Sequence, residues 1–413
     1  MAVDTRIMGH YSKERALVEA HLTEDVVALA LKANRFPGVN FPWVLRQISG
    51  YQAIRRKLPS WYAQKGLEFP SSLPLEQCSS ELTAHNKSRL VSEYLPAAAL
   101  SQGNLHGADL TGGLGVDAWS ISPLFSDYDY VERQEELCRL AEANLTLLGR
   151  KNIRVFHQSA ADYLQKAGAL DFVFLDPSRR DEKGRKVSFL SDCEPDVLQL
   201  LPLLREKSCL VLLKLAPMLD ITRTLRQLPE TVEVQVVAVD NECRELLFLL
   251  DCRAAVRLRP ICRNINCRTH NPVQQFDFFF DEMGVFSPEV TPCPKAWLYE
   301  PNVALMKSGG HLLVARQYGL AKLHPNSHLY TSDNLQTDFP GRIFRLREQL
   351  NPAGKETRHR LTGGSYSVCV RNFPDNADEI RKKYRLKEDS GQFLFATTLL
   401  DGRRVLLSCE RYS

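Results

Sequence analysis

The chain has 413 residues, 44% of them hydrophobic and 25% charged, which excludes a disordered or fibrous protein and allows a large core in more than one domain. A formal charge of +4 permits an anionic partner without requiring one, and no uninterrupted apolar stretch approaches the ~20 residues that span a bilayer. Eleven scattered cysteines, and an opening Met1-Ala2-Val3-Asp4 without a basic region followed by an apolar one, make a cytoplasmic protein with free thiols and no membrane partner the expectation.

Residues 1–102 read as a helical N-terminal domain. Apolar residues recur at helical spacing over 18–22 and 25–31, and Asn40-Phe41-Pro42 and Phe69-Pro70-Ser71-Ser72 punctuate this part. A helix is predicted from Ser79 or Ser80 to Tyr94, opened by serines, Glu81 and Thr83. From Leu105 the rhythm changes. Short apolar runs at 107–110, 129–132, 153–157, 172–176, 209–215, 232–239 and 245–250 alternate, in the earlier part, with helical segments such as 135–148 and 197–205. That alternation predicts an α/β domain over 103–255, a Rossmann-like sheet of seven strands covered by helices on both faces. Only Asp240 to Arg244 separates the last two runs, which fits an antiparallel hairpin. Beyond Asp251 prolines break the pattern, and two small α+β modules are expected over 275–335 and 336–413.

The sharpest motif is Ala108-Asp109-Leu110-Thr111-Gly112-Gly113-Leu114-Gly115-Val116-Asp117, which follows a strand and opens a helix. Its glycines let the backbone turn tightly beside a ligand. Gly113, Gly115 and Ala118 also satisfy the spacing of a nicotinamide-dinucleotide loop. Charge separates the two ligands. A carboxylate at the strand end repels a pyrophosphate and suits the ammonium and sulfonium of S-adenosylmethionine, so Asp109, with Thr111, Gly112, Gly113 and Gly115, is assigned to that cofactor. Glu132, followed by Arg133, ends the second strand, where an acidic residue can take both hydroxyls of a ribose; alone it reads equally as a surface charge. After the third strand Asp162, with Ser159 close behind, is the candidate for the adenine amine, a helix cap being the alternative.

The order Asp109-x-x-Gly112-Gly113-x-Gly115, then Glu132, Asp162 and Asp176-Pro177, resembles the class I S-adenosylmethionine-dependent methyltransferases over about residues 103 to 252. With Leu75-Glu76-Gln77-Cys78-Ser79-Ser80-Glu81 before this fold and Lys322-Leu323-His324-Pro325-Asn326 after it, the whole chain resembles a bacterial group of methyltransferases with a small ferredoxin-like unit and a C-terminal THUMP-like domain. The THUMP-like part suggests RNA as the partner.

The resemblance places the transferable methyl at the end of the fourth strand, Phe172-Val173-Phe174-Leu175-Asp176-Pro177-Ser178-Arg179-Arg180. Amine-directed members carry Asp/Asn-Pro-Pro and an aromatic there, so Asp176 and the Pro177 carbonyl are the candidate catalytic acceptors for a target amine, with Asp176 also beside the cofactor. Arg179 stands where the aromatic would be. Arg179 and Arg180 can stack on bases and pair with phosphates, or lie in a solvated loop beside Asp181 and Glu182. Lys214 is a substrate-side candidate that could equally snorkel. The place after the fifth strand, Lys214-Leu215-Ala216-Pro217-Met218, has no cysteine, which disfavours covalent carbon-5 chemistry and favours methylation of a base nitrogen, in tRNA or rRNA. Gln77, Ser79, Ser80, Thr83 and Lys87 could form a helical lid or be ordinary caps. Cys262, Cys267 and His270 have poor zinc spacing, and no metal is expected. Three rival readings stay open: a methyltransferase acting on a protein or small molecule, a non-catalytic RNA-binding protein with the same fold and, more distantly, a nicotinamide oxidoreductase.

Overall fold

The computed structural model describes residues 12–70, 75, 77–179, 190–253, 260–267, 273–389 and 391–412. The chain forms two compact units, residues 1–230 with 248–256, and residues 231–247 with 257–413.

The first unit opens with helices, Ser12–His21 and Phe41–Ile54 among them. Asn40 caps the second, accepting from the Trp43 N–H at 3.3 Å, and Pro42 occupies its first turn. Trp43, Val44, Ile48, Tyr51 and Ile54 form its buried stripe. The extended segment that follows is held by buried amide side chains acting as backbone surrogates. Gln47 both donates to the Phe69 carbonyl and accepts from its N–H, at 3.2 and 2.7 Å. Asn144, on helix Glu135–Leu147, does the same for Glu68, at 2.8 and 2.9 Å. The N-terminal helices are thereby tied to the α/β part of their own unit.

That part is a parallel sheet. Strands β1 (His106–Asp109), β2 (Asp127–Glu132), β3 (Ile153–His157) and β4 (Leu170–Leu175) are followed by a ribbon of β5 (Ser178–Arg179) and β6 (Cys193–Glu194), then β7 (Ser208–Leu215). The order in this unit is β3-β2-β1-β4-β7, followed by residues 248–251 of β9 (Glu242–Asp251). The pairs β2–β3, β1–β2, β1–β4 and β4–β7 are all parallel. Central β4 reads LDFVFL without alternation because both of its faces are covered. The strand order reverses between β1 and β4, the point where such sheets leave a crevice at their carboxyl ends.

The second unit begins with β8 (Thr231–Val239), which turns into β9 through Asp240 and Asn241. Both turn residues have positive φ, 49° and 63°, as a two-residue hairpin requires. In this unit β10 (Ile261–Cys267) runs parallel to β8, and β11 (Gln274–Phe279) runs antiparallel to β10. These two strands were not predicted. Asn264 and Asn266 break the apolar pattern of β10, yet both are buried, their amides donating to the Phe276 carbonyl at 3.0 Å and the Gln274 side chain at 3.2 Å.

A second sheet takes the order β13-β14-β12-β15-β18-β17-β16. Its members are β12 (Trp297–Pro301), β13 (Ala321–Lys322), β14 (Tyr330–Ser332), β15 (Gly341–Leu350), β16 (Ser367–Arg371), β17 (Gln392–Thr398) and β18 (Arg404–Arg411). Phe344, Phe393, Phe395 and Leu407 pack in one of its clusters, and Leu361, Ile380 and Tyr384 from two helices pack in another. Among the described residues no helix is long and apolar enough to cross a membrane.

Candidate active site

The glycine turn is pinned to both neighbours of β1. The Leu110 N–H donates to the Phe174 carbonyl of β4 at 3.0 Å, and the Gly112 N–H to the Val131 carbonyl of β2 at 2.9 Å. A side chain on Gly112 would meet the Tyr130 ring, with a Cβ 2.2 Å from Cε2, so that glycine serves the tyrosine's packing. Gly113 is different. Its φ is +55° and its free side meets nothing nearer than the Thr111 carbonyl oxygen, 3.8 Å away, so the turn leaves open space there.

Three strand ends converge on this turn. Asp109, at the end of β1, is 1% exposed and accepts from the Thr111 N–H at 3.0 Å. The Thr111 hydroxyl accepts the Asp176 N–H at 2.7 Å, tying β1 to the end of β4. Glu132, at the end of β2, accepts from the N–H groups of Gly113 and Gln134, at 3.0 and 2.9 Å. The loop is thus shaped by its own acidic residues. Burial holds the Asp109 carboxyl well above the usual carboxylate range; the Thr111 N–H opposes this, and the charges of Asp117, Asp176 and Glu132 add to it.

Asp176 forms an ion pair with Lys214, which stands on β7 next to its end. Pro177 is buried directly behind it. The sequence left Lys214 open between a site residue and a snorkelling one; its pairing with Asp176 puts it at the strand-end cluster. Arg180 lies outside the described residues, and Arg179 is described by its backbone alone, in β5. Cys209 is the second residue of β7, at the opposite end of the strand from Lys214.

The other residues expected at the cofactor bond among themselves. Ser159 caps helix Ala160–Lys166, accepting from the Asp162 N–H at 3.1 Å, and its hydroxyl donates to the Asp162 carboxylate at 2.6 Å. They sit just past the ladder that joins Glu132 to His157. The exposed guanidinium of Arg133 lies 3.6 Å from the Glu194 carboxylate on β6.

The N-terminal helix Glu81–Tyr94 does something the sequence did not reveal. Ser80 caps it as expected. Ser79, Thr83 and Lys87 are buried. Lys87 is fully buried, its ammonium 3.2 Å from the Asp117 carboxylate in the first turn after the glycine loop, and the Ser79 hydroxyl donates to the same carboxylate at 2.7 Å. Burial works against ionisation of Asp117, but Lys87, then Lys214, and the Ser79 hydroxyl together hold its carboxyl below the ordinary range. Lys214 therefore faces two carboxylates, and alternating charges run from Lys87 through Asp117 and Lys214 to Asp176. Of the residues weighed for zinc, Cys262 and Cys267 are buried on β10, and His270 lies outside the described residues.

Comparison with solved structures returns a methyltransferase-designated protein of Porphyromonas gingivalis W83. It is 31% identical, with 100% of each chain covered and a TM-score of 0.84. The chain belongs to the same family. In this chain a ferredoxin-like domain is matched over residues 297–340 and a THUMP-like domain over residues 341–411. The class I resemblance and the α/β fold with small C-terminal modules are both borne out. Weaker likenesses include an S-adenosylmethionine-dependent methyltransferase of Agrobacterium tumefaciens, 15% identical, covering 46% of this chain and 66% of that one, with a TM-score of 0.33. Another is a protein of Pyrococcus horikoshii designated an RNA methyltransferase, 16% identical, covering 47% of this chain and 95% of that one, with a TM-score of 0.31. No curated protein matches by sequence.

Proposed function

We propose that this protein is an S-adenosylmethionine-dependent methyltransferase that modifies a nitrogen of an RNA base. One observation supports the cofactor: Asp109, Glu132 and Asp176 lie at the strand ends around the glycine turn, and the charges of Asp176 and Glu132 add to the burial that raises the Asp109 carboxyl. A cationic ligand relieves their repulsion; a pyrophosphate worsens it. In this reading Glu132 exchanges its bonds to Gly113 and Gln134 for ribose hydroxyls, and Ser159, Asp162 and Arg133 flank the adenosine. Bound there, the cofactor supplies an electrophilic methyl group.

The chain's own residues orient the acceptor. Asp176 and the Pro177 carbonyl accept hydrogen bonds from a target amine and aim its lone pair, while the carboxylate stabilises the positive charge arriving on nitrogen. Lys214 pairs with Asp176 and holds it in place until the amine enters. Arg179 and Arg180 are the residues proposed to contact phosphates and bases of the RNA.

Two measurements test this reading. Cofactor binding requires an ionised Asp109, so binding is expected to release a proton and to tighten as pH rises through the elevated range of that carboxyl. Calorimetry in buffers of different ionisation enthalpy reads the released proton; uptake of a proton, or the same affinity in Asp109→Asn, contradicts the electrostatic argument. For the substrate, nucleosides from the RNA of cells lacking the protein are analysed by mass spectrometry. One methylated nucleoside is expected to disappear, and to return with the wild-type chain but not with Asp176→Ala. An unchanged nucleoside profile defeats the RNA assignment.

A further inference from the structure

The Lys322-Leu323-His324-Pro325-Asn326 motif takes no part in the site described above. Lys322 ends the short strand β13 and is only 4% exposed. A buried ammonium costs several kcal/mol unless paired. Yet its one side-chain bond runs to a carbonyl, that of Pro325, at 2.7 Å, and among the described residues no carboxylate is bonded to it.

More cationic and imidazole groups surround it. His311 and His328 pack edge to face with ring centroids 4.6 Å apart, and the Nδ1 atom of each is buried without a protein partner. Burial, then the neighbouring His328 and Lys322, lowers His311 to about 4. Burial, then Lys322 and Arg371, lowers His328 as well. Both rings are therefore neutral at pH 7, and each carries one N–H to donate. Arg371 ends β16, where the next residue, Asn372, bonds the His324 ring at 3.0 Å. The nearby carboxylate, Glu300, is already shared, accepting from the Arg342 and Arg371 Nε groups at 2.7 Å each. Positive charge thus exceeds negative charge in this cluster, and the excess lies on a buried lysine.

We propose that Lys322, His311, His328 and Arg371 form a binding site for a phosphate group. Such a ligand supplies the missing counter-charge and accepts charge-assisted hydrogen bonds from Lys322 and Arg371 and neutral ones from the imidazoles. Pro325 and Asn326 lie exposed at the turn after β13, so the Pro325 carbonyl that now caps the ammonium can be displaced by an anion. The phosphate chemistry stands without the methyl-transfer reading. An RNA strand as the source of the phosphate rests on that reading.

The full-length chain is titrated with inorganic phosphate, and separately with a short oligoribonucleotide, while the imidazole signals of His311 and His328 are followed by NMR. Phosphate is expected to bind saturably and move both signals. Lys322→Gln and Arg371→Gln are expected to weaken it by roughly tenfold or more while leaving S-adenosylmethionine binding unchanged. If the oligoribonucleotide competes for the same signals, RNA is the source; if it does not, the site takes free phosphate. Signals that stay still in the wild type under phosphate overturn the proposal. Wild-type affinity in either variant overturns it too. Because the wild-type titration stands alone, a variant that misfolds does not remove the test, and because S-adenosylmethionine binding is read separately, failure here is distinct from failure of the methyltransferase assignment.

Discussion

Lys87→Met is expected to destabilise the first unit by about 3–5 kcal/mol, the usual cost of leaving a buried charge without its partner. Lys87 is fully buried beside Asp117, whose carboxyl also takes the Ser79 hydroxyl. The paired change Lys87→Met with Asp117→Asn removes both charges and is expected to recover much of the loss. Urea unfolding of the single and double variants reads this directly, and a single variant within about 1 kcal/mol of wild type would show that the pair is not what holds the helix to the loop. The pH dependence has a definite sign. The Asp117 carboxyl is held below its unfolded value of 3.8, so its contribution is present above that value and fades as pH falls through the folded one. Asp109 runs the other way. Its folded carboxyl is raised, so its contribution is present below its unfolded value of 3.8 and is lost as pH rises through the folded one.

Asp176→Asn is expected to lower the rate of methyl transfer by roughly 100- to 1000-fold, the scale of removing one preorganised group that meets developing charge. The amide keeps the shape and can still accept a hydrogen bond, but it no longer neutralises positive charge on the acceptor nitrogen or pairs with Lys214. The cofactor should still bind, because Asp109 and Glu132 remain. Single-turnover transfer from labelled S-adenosylmethionine to RNA of cells lacking the protein separates the two effects. An unaltered rate in Asp176→Asn would remove this residue from the chemistry.

Much of the strand-end cluster was legible beforehand for a local reason. Asp109, Glu132 and Asp176 each close an apolar run, and in a parallel sheet such ends face one edge whatever the loops do. The helix cap at Ser80 was legible in the same way, since a cap depends on its own next three residues. Strand β10 was not legible. Asn264 and Asn266 read as surface residues, and only partners on β11 make their burial tolerable. The pairing of Lys87 was hidden for a related reason. A lysine on a helix reads as solvated, and nothing local to Lys87 points to an aspartate thirty positions on.

Sequence alone determined which side chains stand at strand ends and turn starts, and hence the class of sheet, because those preferences arise between residues a few positions apart. Tertiary structure decided which charges meet: Lys214 with Asp176, Lys87 with Asp117, and Lys322 with no carboxylate bonded to it among the described residues. Charge pairing is set by burial and by distance in space, and neither can be read from separation along the chain.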